Sequence, residues 1–244
     1  MNIIKIEKLK NSKYKLYIDD FSLVIYDDVI LNNNLLFQKE INEDLLLKIK
    51  EENNYYELLN LSIKYISKRL RSEFEIKKYL EKKTNDTYLI DNIINELIDK
   101  KLIDDQRFTT AYINDKLNFS KCGILKIKND LINLGIDQNL INDTLNNIDY
   151  KKNDNLKQMI DKKIKNNHKY SSNYLKQKIT NDMINLGYVK EDIISILDNY
   201  NLDDNEIYQK EYDKLYNKLS KKYQGKELEY QIKNRLYIKG FKKN

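Results

Sequence analysis

The chain has no proline and no tryptophan, only five glycines, and a single cysteine and histidine among 244 residues. Each scarcity excludes something. Without proline and with so little glycine, long helices joined by brief connections are favoured over loop-rich architectures. Cys122 alone forms no internal disulfide and agrees with a reducing compartment. One cysteine and His168 cannot assemble a zinc site or a histidine-dependent nucleophile pair. Neither G-x-x-x-x-G-K-[ST] nor G-x-G-x-x-G occurs, so no glycine-rich loop cradles a phosphate. There is no run of about 18 apolar residues and no apolar signal core at the N-terminus. The expectation is a cytoplasmic protein with no membrane span, no cofactor and no enzymatic activity.

What is abundant is charge, at 34% of residues, with a mean hydropathy of −0.76. Apolar residues must therefore be sorted onto faces. The net charge of +6 is uneven: residues 1–54 hold eight Lys against ten Asp/Glu, and the rest hold 36 Lys/Arg against 28 Asp/Glu. The positive excess suggests a polyanionic or acidic partner, and it is modest enough that an ordinary solvated surface remains the alternative.

The glycines lead to the organisation. A ten-residue phrase reads I-K-N-D-L-I-N-L-G-I from Ile127, I-T-N-D-M-I-N-L-G-Y from Ile179 and I-K-N-R-L-Y-I-K-G-F from Ile232. A degraded copy starts at Ile76, with Thr84 in place of the glycine. The near-constant period implies one unit used about four times, each burying its apolar face against its neighbours. Gly135, Gly187 and Gly240 sit where the chain must leave a helix, a place that favours a left-handed glycine.

Before residue 40 the period is two. Ile4 and Ile6 alternate with Lys5 and Glu7, Tyr14, Leu16 and Ile18 alternate with Lys15 and Tyr17, and Phe21, Leu23 and Ile25 continue the two-residue period. This predicts a small antiparallel meander with turns at Asn11-Ser12 and Asp19-Asp20, too small to be stable alone and docked on the first repeat. From Tyr55 the period is helical. Three helices recur per unit, with the phrase closing the second, and Ser72-Glu73-Phe74-Glu75 reads as a capping box. After Gly240 the last unit is expected to lack its third helix. The predicted fold is mainly α: tandem three-helix repeats forming an elongated modular body, with a small N-terminal antiparallel β-sheet subdomain. The expected boundaries are a meander plus helix at 1–54, then repeats at 55–104, 105–150, 151–202 and a truncated fourth at 203–244.

Lysines lie off the apolar stripe of each middle helix: Lys77, Lys78 and Lys82 in the first unit, Lys121, Lys126 and Lys128 in the second, Lys176 and Lys178 in the third. Stacking would align them. The alternative is a solvated face paired with acids such as Glu73 and Glu81. Acidic doublets such as Asp104-Asp105 and Asp203-Asp204 fall at turns and helix starts, where they read as caps and not as a metal site.

The phrases R-L-R-S-E-F-E-I at Arg69–Ile76 and L-I-D-D-Q-R-F at Leu102–Phe108, with K-N-D-L-I-N-L-G, resemble the bacterial RecX family of recombination regulators. The resemblance is firm over roughly residues 55–150 and reaches the C-terminus through the repeat. It implies a monomeric, non-enzymatic protein that lies in the groove of the RecA filament on single-stranded DNA. There it would inhibit ATP hydrolysis and strand exchange, with weak direct affinity for single-stranded DNA. Three of the four arginines, Arg69, Arg71 and Arg107, lie in the matched phrases, and arginine offers a planar fork that lysine cannot copy. With Lys77, Lys78, Lys82, Lys121, Lys126 and Lys128 they form the expected partner- or DNA-binding set. Arg71 and Lys77 are expected to be exposed and dispensable for folding, and Arg107 could instead pair with Asp104 or Asp105. An autonomous basic DNA-binding repeat protein and a general protein scaffold remain alternatives.

Overall fold

The computed structural model describes residues 1–148 and 154–241. Alternation in the first 26 residues builds three strands, β1 (Ile3–Lys8), β2 (Lys13–Ile18) and β3 (Phe21–Tyr26), paired antiparallel in the order 1-2-3. The turns fall where expected, with left-handed Asn11, Ser12 and Asp19. Leu16, Ile18 and Ile25 point to one buried face. One expectation fails. A register irregularity between Ile3 and Lys5 breaks the alternation in β1, so Ile3 and Ile6 pack on the core while Ile4 is 67% exposed. A bulge moves side chains to the opposite face. A short helix α1 (Asp27–Asn32) and a 3-10 turn (Leu35–Phe37), neither foreseen, cover the sheet with Val29, Ile30 and Leu35.

Helix α2 (Glu43–Ile66) begins at Asn42, whose side chain accepts from the Leu45 N–H, and runs 24 residues without interruption. It passes straight through the boundary expected at 54/55. Its first half packs Leu45, Leu46 and Ile49 on the sheet, and its second half contributes Leu58 and Leu59 to the first repeat. Asn53 fastens the two: its amide accepts from the Tyr26 N–H at 3.1 Å and donates to the Val24 carbonyl at 3.1 Å. The small sheet is thus stabilised through a helix it shares with the repeat.

The first repeat is completed by α3 (Glu73–Leu80) and α4 (Thr87–Asp99), whose Ile76, Leu80, Ile90, Ile93, Ile94 and Leu97 close one core. The second repeat follows as α5 (Asp105–Asp115) with a π-helical turn (Lys116–Ser120), α6 (Ile124–Asn133) and α7 (Gln138–Asn147). The third has α8 (Asp154–Lys165), α9 (Ser172–Asn185) and α10 (Lys190–Leu197), and the fourth α11 (Asn205–Leu219) and α12 (Gly225–Ile238). The boundary expected at 150/151 and the chain beyond Phe241 lie outside the described residues.

Two compact units result. One comprises residues 1–108 with the Leu134–Ile136 turn, and the other comprises 109–133 and 137–244. In the second, Leu156, Ile160, Leu175, Ile179, Met183 and Ile193 form one cluster, and Leu215, Leu219, Ile232 and Leu236 another.

Candidate partner interface

The phrase that recurs in the sequence turns out to be a socket. Gly135 has φ +80°, and a Cβ added there would overlap Phe74 at the start of α3. Beside it, the Ser72 hydroxyl donates to the Leu134 carbonyl at 2.7 Å while accepting from the Glu75 N–H at 3.3 Å. Glu75 completes the capping box. The glycine therefore ends its own helix and also lets the start of the preceding repeat's middle helix seat on the turn. The same joint recurs within the second unit. Gly123 and Leu125 N–H groups donate to the Leu186 and Gly187 carbonyls at 2.8 and 3.0 Å. The Ser171 N–H donates to Lys239 at 3.0 Å, beside Gly240.

The degraded copy now has a physical reason. The turn at Thr84 is preceded along the chain by the meander and not by another repeat, so it has no middle helix to receive. Thr84 accordingly does not adopt a positive φ. The capping serine is itself sealed in the joint: Ser72 is fully buried.

The second acid of each doublet serves the joint as well. Asp105 accepts from the Glu73 N–H at 2.9 Å, and Asp204 accepts from the Ser172 N–H at 2.7 Å and from its hydroxyl. Burial pushes the Asp105 carboxyl up, partly offset by that N–H, with Glu73 and Asp104 adding to the rise. Asp104 is the local cap foreseen, accepting from the Arg107 N–H at 2.8 Å. Sequence reasoning missed this role of Asp105, although a signal existed: Ser72 and Asp105 are separated along the chain as Ser171 and Asp204 are.

Arg69 and Arg71 converge on Glu75, at 2.5 and 3.0 Å. Arg71 also lies flat on the Tyr65 ring, 3.9 Å from its centroid, and Tyr65 stacks on Tyr79. Only 12% of the Arg71 side chain is exposed. This corrects the expectation that Arg71 is exposed and dispensable: its aliphatic stem and guanidinium are sandwiched between an aromatic face and a carboxylate. Burial raises the Glu75 carboxyl, but Arg69, Arg71 and the Ser72 N–H outweigh it and hold the group below its ordinary value.

The remaining predicted residues do not join that cluster. Lys77 reaches Asp91 at 3.2 Å and Lys78 reaches Glu81 at 2.8 Å, both exposed pairs. Lys128 donates to the Asn142 amide oxygen at 2.7 Å. Exposed pairs of this kind contribute about 0–1 kcal/mol, so the cations remain available. Lys82, Arg107, Lys121 and Lys126 are exposed and make no ion pair among the described residues. Arg107 thus does not pair with Asp104 or Asp105 through its side chain. Lys121 is held left-handed at φ 49°, its carbonyl accepting from the Tyr188 hydroxyl at 2.9 Å.

A profile described as RecX, second three-helix domain, matches residues 104–145. Regulatory protein RecX of Streptococcus agalactiae serotype III is 31% identical over 99% of this chain and 95% of its own length. The chain belongs to the RecX family. The family's namesakes in Streptococcus mutans serotype c and Halalkalibacterium halodurans are 30% and 27% identical over 99% and 98% of this chain, covering 95% and 94% of theirs. A crystal structure of regulatory protein RecX superposes with a TM-score of 0.68 at 21% identity, covering 81% of this chain and all of that one. RecX from Lactobacillus salivarius gives 0.55 at 25% identity, covering 60% and 96%. The family's architecture of three-helix repeats is the one described above. Among the described residues no cluster of His, Cys, Asp or Glu could hold a metal, and no helix is long and apolar enough to cross a membrane.

Proposed function

We propose that this chain regulates RecA recombinase by binding the RecA filament on single-stranded DNA and inhibiting its ATP hydrolysis and strand exchange. The observation that carries this reading is the match along nearly the whole chain to proteins named regulatory protein RecX. The structure supports it physically. Repeats joined through backbone sockets make a modular body that can follow a repeating partner. Uncompensated cations at Lys82, Arg107, Lys121 and Lys126 suit acidic and phosphate groups on such a partner. Lys77 and Lys78 on the first unit and Lys128 on the second add further cations, while Arg69 and Arg71 hold the start of α3 in place. The protein acts as a cytoplasmic monomer, without a cofactor and without a reaction of its own, and its affinity for bare single-stranded DNA is weak.

The test is RecA-dependent ATP hydrolysis on single-stranded DNA, titrated with this protein. Hydrolysis should fall towards zero with rising protein, and strand exchange with it. Unchanged hydrolysis at saturating protein would refute the reading.

A further inference from the structure

A cleft of about 670 Å³ opens in the third repeat, between α8, α9 and the loop that joins them, with Lys121 at its edge. Neither the repeat joints nor the residues assigned above account for it, Lys121 excepted. Its floor is apolar, formed by Met159, Leu175 and Ile179 with the ring of Tyr170. Its rim is cationic. Lys121, Lys162, Lys169 and Lys178 are exposed, and none forms an ion pair among the described residues. The single carboxylate in the lining, Asp182, is already taken by Lys163 at 2.6 Å. Lys169 and Lys178 both lie against the Tyr170 ring, 5.0 and 4.9 Å from its centroid. Lys169, with Lys178, holds the tyrosine hydroxyl below its ordinary value.

The connecting loop is built, not slack. The Asn167 side chain accepts from the Tyr170 N–H at 3.1 Å and donates to the Tyr170 carbonyl at 2.8 Å, fixing the ring that forms part of the floor. Lys121 is fixed by the Tyr188 hydroxyl, as described above.

We propose that this cleft binds a nucleotide unit of single-stranded nucleic acid, with the phosphodiester on Lys162, Lys169 and Lys178 and the base on the apolar floor. Four cations without an ion pair among the described residues call for an anion, and phosphates satisfy several lysines at once. An apolar floor with an aromatic ring directly beside them calls for a flat, weakly polar group joined to that anion. The volume falls within the range of pockets that bury a ligand of that size. An acidic peptide would satisfy the rim and leave the floor wet. The proposal extends the functional reading to a specific strand contact and does not require RecA.

The test uses the full chain, without RecA, and a fluorescently labelled twelve-nucleotide oligothymidylate followed by anisotropy over a salt series. Lys162→Gln with Lys178→Gln should raise Kd at least about tenfold and reduce the log–log salt slope by roughly 1.4, at about 0.7 per phosphate contact. Lys221→Gln with Lys222→Gln, two exposed lysines outside the cleft, should shift Kd less than about threefold. An abasic phosphodiester of equal length should bind the unaltered protein clearly more weakly than oligothymidylate. That arm needs no variant, so it stands even if a substitution perturbs folding. The proposal is overturned if the cleft pair behaves like the control pair, or if the abasic strand binds equally well. It is also overturned if polyglutamate of matched charge displaces the oligonucleotide, which would assign the cleft to an acidic protein segment, or if thymidine monophosphate binds as tightly as the strand. Because RecA is absent, any of these results leaves the ATP-hydrolysis test standing.

Discussion

The Ser72 hydroxyl donates to the Leu134 carbonyl at 2.7 Å, joining the start of one repeat's middle helix to the turn that ends the next. That hydroxyl also accepts from the Glu75 N–H, so removing it strips a helix cap and leaves a carbonyl without its partner. Ser72→Ala should destabilise the protein by about 1–3 kcal/mol, measured by denaturant melts. An unchanged midpoint would show that the joint contributes nothing.

Gly135 tests the socket from the other side. Alanine there is strained at φ +80°, and its Cβ overlaps Phe74. Gly135→Ala should cost about 1–3 kcal/mol from backbone strain alone, with the overlap adding to it. Thr84→Gly, at the copy with no helix to receive, should give no gain in thermal stability. If the two substitutions moved the melting temperature alike, the socket account would fail.

Glu75 sets an acid limit. Its carboxyl is held below the ordinary value of 4.5 in the folded state, so its pairing with Arg69 and Arg71 stabilises the fold fully above that value. This stability is lost as pH falls through the lower, folded-state pKa. Melting temperatures measured from pH 6 down to pH 3 should drop less steeply for Glu75→Gln than for the unaltered chain. Parallel pH profiles would mean that the pair is too weakly coupled to matter.

Arg71 is a structural residue on this account. With Tyr65 on one side and Glu75 on the other, Arg71→Ala should cost about 1–3 kcal/mol in a urea melt. A melt within about 0.5 kcal/mol of the unaltered protein would return Arg71 to the exposed surface.

Much of the fold was legible in the sequence because it rests on short-range rules. The two-residue period from Tyr14 to Ile25 gave the strands, the capping box gave the start of α3, and Gly135, Gly187 and Gly240 gave the left-handed turns. What stayed hidden depends on contacts between segments far apart in the chain. A glycine needed to end a helix looks the same, in one dimension, as a glycine needed to admit Phe74. An arginine beside a serine cap looks exposed until Tyr65 closes over it from the preceding helix. The β1 irregularity that turns Ile4 outward leaves no mark in an alternating string. The cleft around Tyr170 gathers residues from α8, α9 and Lys121, and of its cationic rim only Lys121 and Lys178 had drawn notice, both as lysines lying off the apolar stripe.

The central claim is regulation of RecA through exposed cations on a repeat body that the same substitutions leave folded. Its most direct measurement is a dose–response of RecA-dependent ATP hydrolysis on single-stranded DNA. The comparison is between the unaltered protein and a variant with Lys82, Arg107, Lys121 and Lys126 all changed to alanine. Each lies on the exposed surface without an ion pair among the described residues, so melting should shift by no more than about 0.5 kcal/mol per site. The account predicts inhibition by the unaltered chain and at least a several-fold higher half-inhibitory concentration for the folded variant. Equal inhibition by the two would contradict the assigned surface, and no inhibition by either would contradict the function itself.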